Sequence, residues 1–224
     1  MGLFFSSDRF TRPGPGVRPD APRKKGVARL AEIMGRDMWN FFRAGFLAFL
    51  GCLPFIIGMF FAVETHALLF MLLAGIIGGL IAGPELSAMA DTVLRSLRDE
   101  PGYWWETYRR VWKRNARESL VPGMLTGLVL SMQIFTLFHM SVISAGIVTW
   151  VLLILSFVVT LGLESYIWPQ IALLDQPLSL TLKNSINCMI AFLPHALAAS
   201  IVQILFWGVV ILCMPLGLLL MLVF

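Results

Sequence analysis

Charge is scarce in this 224-residue chain, and beyond Arg117 it almost disappears. Only 13% of the residues are charged, and Lys183 is the only basic residue after position 117. With 58% hydrophobic residues and a mean hydropathy of +0.82, the chain is too apolar for an ordinary soluble domain. The composition therefore predicts a protein embedded in a membrane.

Cysteine is also rare, and recognisable catalytic motifs are lacking. Cys52, Cys188 and Cys213 show no C-x-x-C spacing, and each lies in or near an apolar run. We expect them to pack between helices rather than to bind metal or form disulfides. The chain contains no Ser-His-Asp order, phosphate-binding loop or H-E-x-x-H motif. The sequence therefore predicts neither an enzyme nor a cofactor.

Long uncharged runs are the strongest positive signal, because a helix of about 20 apolar residues crosses a bilayer. Backbone groups in lipid must pair internally, so these runs predict an all-α fold, a polytopic helical membrane bundle. Six spans are expected, at about 44–63, 67–88, 119–138, 143–167, 186–205 and 208–224. A five-span alternative has a surface helix at 178–193 followed by one long final helix.

All basic residues except Lys183 lie in two segments, 9–43 and 95–117. Lys and Arg in alternate loops follow the positive-inside rule. This predicts a protein of the bacterial inner membrane whose N-terminus and helical element at 91–118 lie on the cytoplasmic side. Residues 1–26, rich in Pro and Arg, are expected to be a disordered basic tail, and 27–224 a single membrane domain. The same distribution argues against nucleic acid as a partner.

Two amphipathic segments are predicted at the cytoplasmic membrane surface. Between 27 and 42 the apolar residues recur three or four positions apart, and 103–114 combines an aromatic side with a basic one. Such helices lie on anionic lipid leaflets. The second segment predicts a surface for lipid or for a protein partner, with the candidate residues Trp104, Trp105, Tyr108, Arg109, Trp112, Lys113 and Arg114.

Glycines recur every four residues in the second and third apolar runs. A helix face without side chains lets a neighbouring helix approach closely. The candidate packing residues are Gly75, Gly79, Gly83, Gly123 and Gly127. Together with the aromatic and basic surface, they predict a non-enzymatic accessory protein that binds a transporter, another membrane protein or a second copy of itself.

Glu85 and Glu164 are the acidic residues expected to lie within the bilayer. A charged side chain there costs free energy, so a carboxylate that is kept there is by default a candidate for a functional role. With His195 as a candidate proton-relay residue, they define an alternative function, a small-solute or ion-coupled transporter. Both carboxylates fall near the inner ends of their spans, where water can reach them. A structural role is therefore the competing interpretation.

Two histidines fall in predicted outer turns. Glu64 and His66 occupy one turn and His139 the other, so the three could meet as metal ligands would. Histidines in short turns are more often simply polar turn residues. No metal site is therefore predicted.

The segment around the second and third spans carries a family resemblance. It contains Gly83-Pro84, then LRSLRDE at 94–100, an aromatic-rich helix at 103–112, and Lys113-Arg114-Asn115. In these features the chain resembles the YesL-like family of bacterial integral membrane proteins, whose function is uncharacterised. The resemblance covers about residues 36–125, and the later spans by hydropathy only. The resemblance implies no catalytic residues. Because members of the family often have genes beside those of carbohydrate importers, it also implies a role associated with sugar uptake.

Overall fold

The computed structural model describes residues 25–100, 102–140 and 146–212, with side chains to Gly208. These residues are helical apart from short connections and contain no β-strand. The described helices are α1 (Gly26–Thr65), α2 (Leu68–Leu73), a π-helical segment (Ala74–Gly78), α3 (Gly79–Arg98), α4 (Trp104–Phe138), α5 (Ile147–Leu173), α6 (Leu178–Ala191) and α7 (Leu193–Leu212).

Four stretches are long and apolar enough to cross a membrane: α1, the continuous run Leu68–Arg98, α4 and α5. The pair α6 and α7, bent by 98°, provides a fifth if it counts as one span. Long apolar helices of this kind indicate a membrane-embedded protein. The expectation of an all-α membrane fold is confirmed.

The last part of the chain is divided differently from the six-span prediction. The helix breaks at Phe192, inside the predicted span 186–205, and α7 then continues past residue 206 without interruption. Pro194 explains the break, because it lacks an N–H and its ring clashes with the carbonyl four residues earlier. Most of the predicted span 208–224 lies outside the described residues.

The chain forms two compact units, one ending at Arg36 and the other beginning at Asp37. The described part of the first unit is the start of α1, where Arg29 donates to Glu32 across 3.2 Å. The predicted basic tail, 1–26, lies almost entirely outside the described residues. All contacts below belong to the second unit.

Glycine is the reason that α3 and α4 make the most extensive helix contact in the second unit. Gly79 and Gly123 face each other so closely that a Cβ on either would overlap the other's carbonyl oxygen. A Cβ on Gly127 would lie 2.5 Å from the carbonyl oxygen of Gly75. The structure thus brings the predicted packing glycines together within one chain, where backbone touches backbone.

Two serines line the same contact without leaving a hydroxyl unpaired. Ser119 and Ser131 of α4 are fully buried, and they lie against Gly83 and Gly75, respectively. Each hydroxyl donates to a carbonyl of its own helix at 2.8 Å. Serines therefore extend the close contact between the helices, and their buried hydroxyl groups remain hydrogen-bonded.

Helix α1 also uses glycine to approach the second span, at positions that sequence reasoning did not select. A Cβ on Gly58 would lie 2.7 Å from the Cβ of Ala74. A Cβ on Gly78 would lie 2.6 Å from the Cα of Phe55. The second span is therefore contacted closely on both sides, by α1 and by α4.

Gly79→Ala tests this packing, because the added Cβ collides with backbone rather than with a movable side chain. We expect a loss of about 1–3 kcal/mol in the free energy of unfolding, the usual cost of overpacking. Unfolding by a denaturing detergent, followed by circular dichroism, measures it. Gly35→Ala is the matched control, since a Cβ there meets nothing within 4 Å. Equal stability of the two variants would contradict the close contact.

Candidate functional site

The charged end of the second unit is formed where α3 ends and α4 begins. The predicted element 91–118 is divided between two helices, because α3 continues without a break to Arg98 and α4 starts at Trp104. Between them Asp99 adopts the left-handed conformation with φ of 59°. The N–H of Glu100 donates to the Arg95 carbonyl at 3.1 Å, which closes the end of α3.

Ion pairs neutralise the α3 side of this end. Asp91 is buried and accepts from Arg95 Nε at 2.6 Å. Arg95 and Arg98 also pair with Glu100, at 3.3 and 2.9 Å. The arginines of α3 are therefore engaged with carboxylates of the same segment.

The first turns of α4 present an exposed stripe of aromatic and basic side chains. Trp105, Arg109 and Trp112 follow the i, i+4, i+7 spacing of one helix face, and all three are exposed. Lys113 is exposed beside them, and Tyr103, just before α4, is 87% exposed. We call Trp105, Arg109 and Trp112 the α4 stripe.

Three residues predicted for this surface also make contacts within the chain. Tyr108 is buried, and its hydroxyl donates to Glu85 Oε2 at 2.6 Å. Trp104 lies against the Tyr108 ring at 5.3 Å between centroids. Arg114 donates to the Ala172 carbonyl at 2.8 Å, and a cation there complements the C-terminus of α5. Tyr108 is therefore buried and Trp104 half-buried, whereas Arg114 stays exposed while it makes this hydrogen bond.

The structure brings the two candidate carboxylates into one region. Each lies 17 residues after its span begins (68 to 85 and 147 to 164), which is about 25 Å along a helix axis. Cys52 of α1 lies within electrostatic range of both Glu85 and Glu164. Glu85 is satisfied by Tyr108, whereas the buried Oε1 of Glu164 has no hydrogen-bond partner among the described residues.

His195 does not join these carboxylates. It is exposed near the start of α7, with its ring 6.4 Å from that of Phe192. The predicted polar pathway therefore reduces to Glu85 and Glu164, with Cys52 as a neighbour that sequence reasoning treated only as a packing residue.

The two turn histidines do meet, at the other end of the bundle. His66 Nδ1 and His139 Nε2 are 2.6 Å apart, and His139 Nδ1 is 2.7 Å from the Phe135 carbonyl oxygen. Because that carbonyl can only accept, His139 Nδ1 donates to it, and a second hydrogen bond joins the two imidazole rings. Within the described residues no group of three His, Cys, Asp or Glu is placed to hold a metal ion. The pair therefore ties the end of α4 to the turn after α1.

A small cavity of about 240 Å³ lies between α4 and the connection from α5 to α6. Its lining includes Arg117, Glu118, Asp175 and Thr181. Pockets that bury a small organic ligand usually measure about 300–1,000 Å³. This cavity is thus below the usual size of a substrate pocket.

Fold and site together define a membrane-embedded, all-helical protein with a charged aromatic end. No protein-family model, curated protein or solved structure matches the chain. The resemblance to the YesL-like family therefore stays a prediction from the residues that carry it.

Tyr108→Phe tests the buried contact with Glu85. The change keeps the ring and removes the donor, so the Glu85 carboxylate loses a charge-assisted hydrogen bond worth about 1.5–3 kcal/mol. We expect a lower midpoint in thermal unfolding of the detergent-solubilised protein. Tyr103→Phe makes the same chemical change at an exposed position and should leave the midpoint unchanged. Indistinguishable midpoints would rule out a stabilising role for this hydrogen bond.

Proposed function

We propose that this chain is a non-enzymatic accessory protein of a membrane complex, and that it binds its partner through the α4 stripe. The observation that carries the proposal is the exposure of Trp105, Arg109 and Trp112 on one face of α4, a helix that is anchored to the rest of the chain by the buried Tyr108 and Val111. Trp and Arg are the residue types enriched at the energetic centres of protein interfaces. A rigid helix also holds these side chains in place before binding, which lowers the entropic cost of association.

The glycine-rich faces are not available for this partner. Gly75, Gly79 and Gly83 are covered by α4 of the same chain, so the partner contact moves from the membrane interior to the charged end. From the positive-inside rule we expect that end to face the cytoplasm. The partner we propose is therefore another membrane protein with an acidic cytoplasmic surface.

The acidic character of the partner follows from the charges that remain exposed. Arg109 and Lys113 lie on or beside the α4 stripe and are exposed, whereas Arg114 is engaged with Ala172. Cations that pair with no carboxylate of the described residues and lie beside indole rings favour an acidic surface and speed its association. The family resemblance, with its gene neighbourhood of carbohydrate importers, makes an import system the first candidate partner.

A double variant, Trp105→Ala with Trp112→Ala, tests the proposed contact. Removing two hot-spot aromatics should weaken the complex at least about 30-fold, since each costs 1 kcal/mol or more. The readout is stoichiometric co-purification from native-level expression in a gentle detergent, with each partner identified and then titrated in purified form. Trp150→Ala is the control, because Trp150 is similarly exposed but lies on α5.

Two results would contradict the proposal. One is a wild-type protein that purifies without a stoichiometric partner. The other is a partner that binds the double variant and Trp150→Ala equally well.

A second candidate function, ion-coupled or small-solute transport, is favoured by the unpartnered Oε1 of Glu164. A buried carboxylate oxygen without a donor is costly unless a proton or cation occupies it. Cys52 lies within electrostatic range of both Glu164 and Glu85, so this region of the chain contains two carboxylates.

For transport we expect that Glu85→Gln combined with Glu164→Gln abolishes solute or ion flux into proteoliposomes. The amides keep the shape of the side chains but remove the charges that would attract a cation. Glu106→Gln, a fully hydrated position paired with Arg110, should retain wild-type flux. Unchanged flux in the double variant would exclude the glutamates from any pathway.

A further inference from the structure

Arg43 occupies a distinctive place at the charged end. It is the last charged residue before the apolar run 44–63, which forms the membrane-crossing part of α1. A side chain at this point of a span lies at the level of the lipid headgroups. Arg43 is exposed, whereas the next residue, Ala44, is buried in a cluster with Ala88 and Tyr108.

Two indole rings hold the Arg43 guanidinium. Its Cζ lies over the Trp39 ring at 5.0 Å and over the Trp104 ring at 5.6 Å from the centroids. The Trp39 ring in turn stacks on Phe42 at 5.3 Å, with 7° between the planes. Trp104 is fixed from behind by Tyr108. The Arg43 guanidinium is therefore oriented by indole rings from both α1 and α4, although Trp104 lies 61 positions further along the chain.

The charge of Arg43 is not neutralised by a carboxylate of the described residues. Arg95, Arg98 and Arg110 each pair with an acidic side chain there. The carboxylate attached to this aromatic cluster, Glu85, is taken by Tyr108. Aromatic contact uses the faces of a guanidinium and leaves its in-plane N–H donors free, in the fork geometry that matches a phosphate.

We propose that Arg43, Trp39 and Trp104 form a binding site for the headgroup phosphate of an anionic phospholipid. The guanidinium donates to the phosphate oxygens, and the indoles hold it at headgroup depth. Trp39 is 60% exposed, so its ring offers a surface to the glycerol and upper acyl region, where indoles are favoured. This site shares no residue with the α4 stripe, although the Trp104 and Trp105 rings lie 6.0 Å apart between centroids.

A lipid, rather than free phosphate, is the occupant that the placement favours. The site adjoins the apolar run of α1, so a bound lipid keeps its acyl chains in hydrocarbon while its phosphate reaches Arg43. Free phosphate would gain the same ion pair without that burial. Inorganic phosphate at the same site should therefore bind far more weakly than a phosphatidylglycerol.

Native mass spectrometry of the purified full chain, titrated with phosphatidylglycerol and with phosphatidylcholine, tests the proposal. We expect the first phosphatidylglycerol to bind more tightly than phosphatidylcholine. Arg43→Gln should weaken that first adduct about fivefold, the effect of one basic residue near a lipid surface, and remove the preference. Arg43→Lys should keep part of the affinity, because the charge remains but the stacked fork is lost.

The controls separate this site from general basic attraction. Arg110→Gln removes one positive charge from an exposed pair on α4 and should leave the first adduct unchanged. Trp39→Leu removes the indole at an exposed position, so the substitution does not disturb core packing. It should weaken the first adduct as much as Arg43→Gln does. Circular dichroism of every variant checks that it folds.

Three outcomes would overturn the proposal: equal affinity for the two lipids in the wild-type protein, an equal loss in Arg110→Gln and Arg43→Gln, or displacement of the lipid by millimolar inorganic phosphate. The last would identify a free-phosphate site. None of these outcomes bears on partner binding by the α4 stripe, which is measured separately.

Discussion

Direct backbone contact between α3 and α4 is the constraint on which the rest of the second unit depends. Lipid tails are as apolar as leucine, so burial of apolar surface does not drive helices together in a membrane. Close van der Waals contact must replace it, and Gly79 against Gly123 provides it. Because the helices meet there, their charged ends also meet. Tyr108 can then reach Glu85, and Trp104 can reach Arg43.

Hydrogen bonds donated by polar side chains of α4 and α7 hold α5 in the same unit. Gln133 of α4 donates to Thr160 at 2.8 Å, and Ser200 of α7 donates to the Val158 carbonyl at 2.9 Å. Each such bond contributes about 0.6 kcal/mol in a membrane protein. The Oε1 of Glu164 is one of four buried side-chain atoms of the described residues that have no hydrogen-bond partner, with Trp104 Nε1, Asn115 Nδ2 and Gln133 Oε1. A buried polar atom without a partner calls for an explanation, and transport would supply one.

The charged end combines two kinds of surface on adjacent residues. Trp104 faces inward and helps to orient Arg43, while Trp105 faces outward on the α4 stripe. An accessory protein needs both a fixed position in the lipid and a surface for its partner. The proposed phosphate site and the proposed partner surface meet these two needs with one pair of helix ends. They can be disturbed separately, since they share no residue.

The sequence alone determined the class of the protein and the position of its charges. Uncharged runs long enough to span a bilayer can form only helices in lipid, so the all-α membrane fold followed from composition and run length. The tertiary structure decided which side of each helix faces inward. Successive residues on a helix differ by 100°, so an aromatic-rich segment does not reveal that Trp104 is half-buried while Trp105 is exposed. It also decided which distant residues meet, such as His66 with His139, because such pairings arise from helix packing rather than from any local pattern.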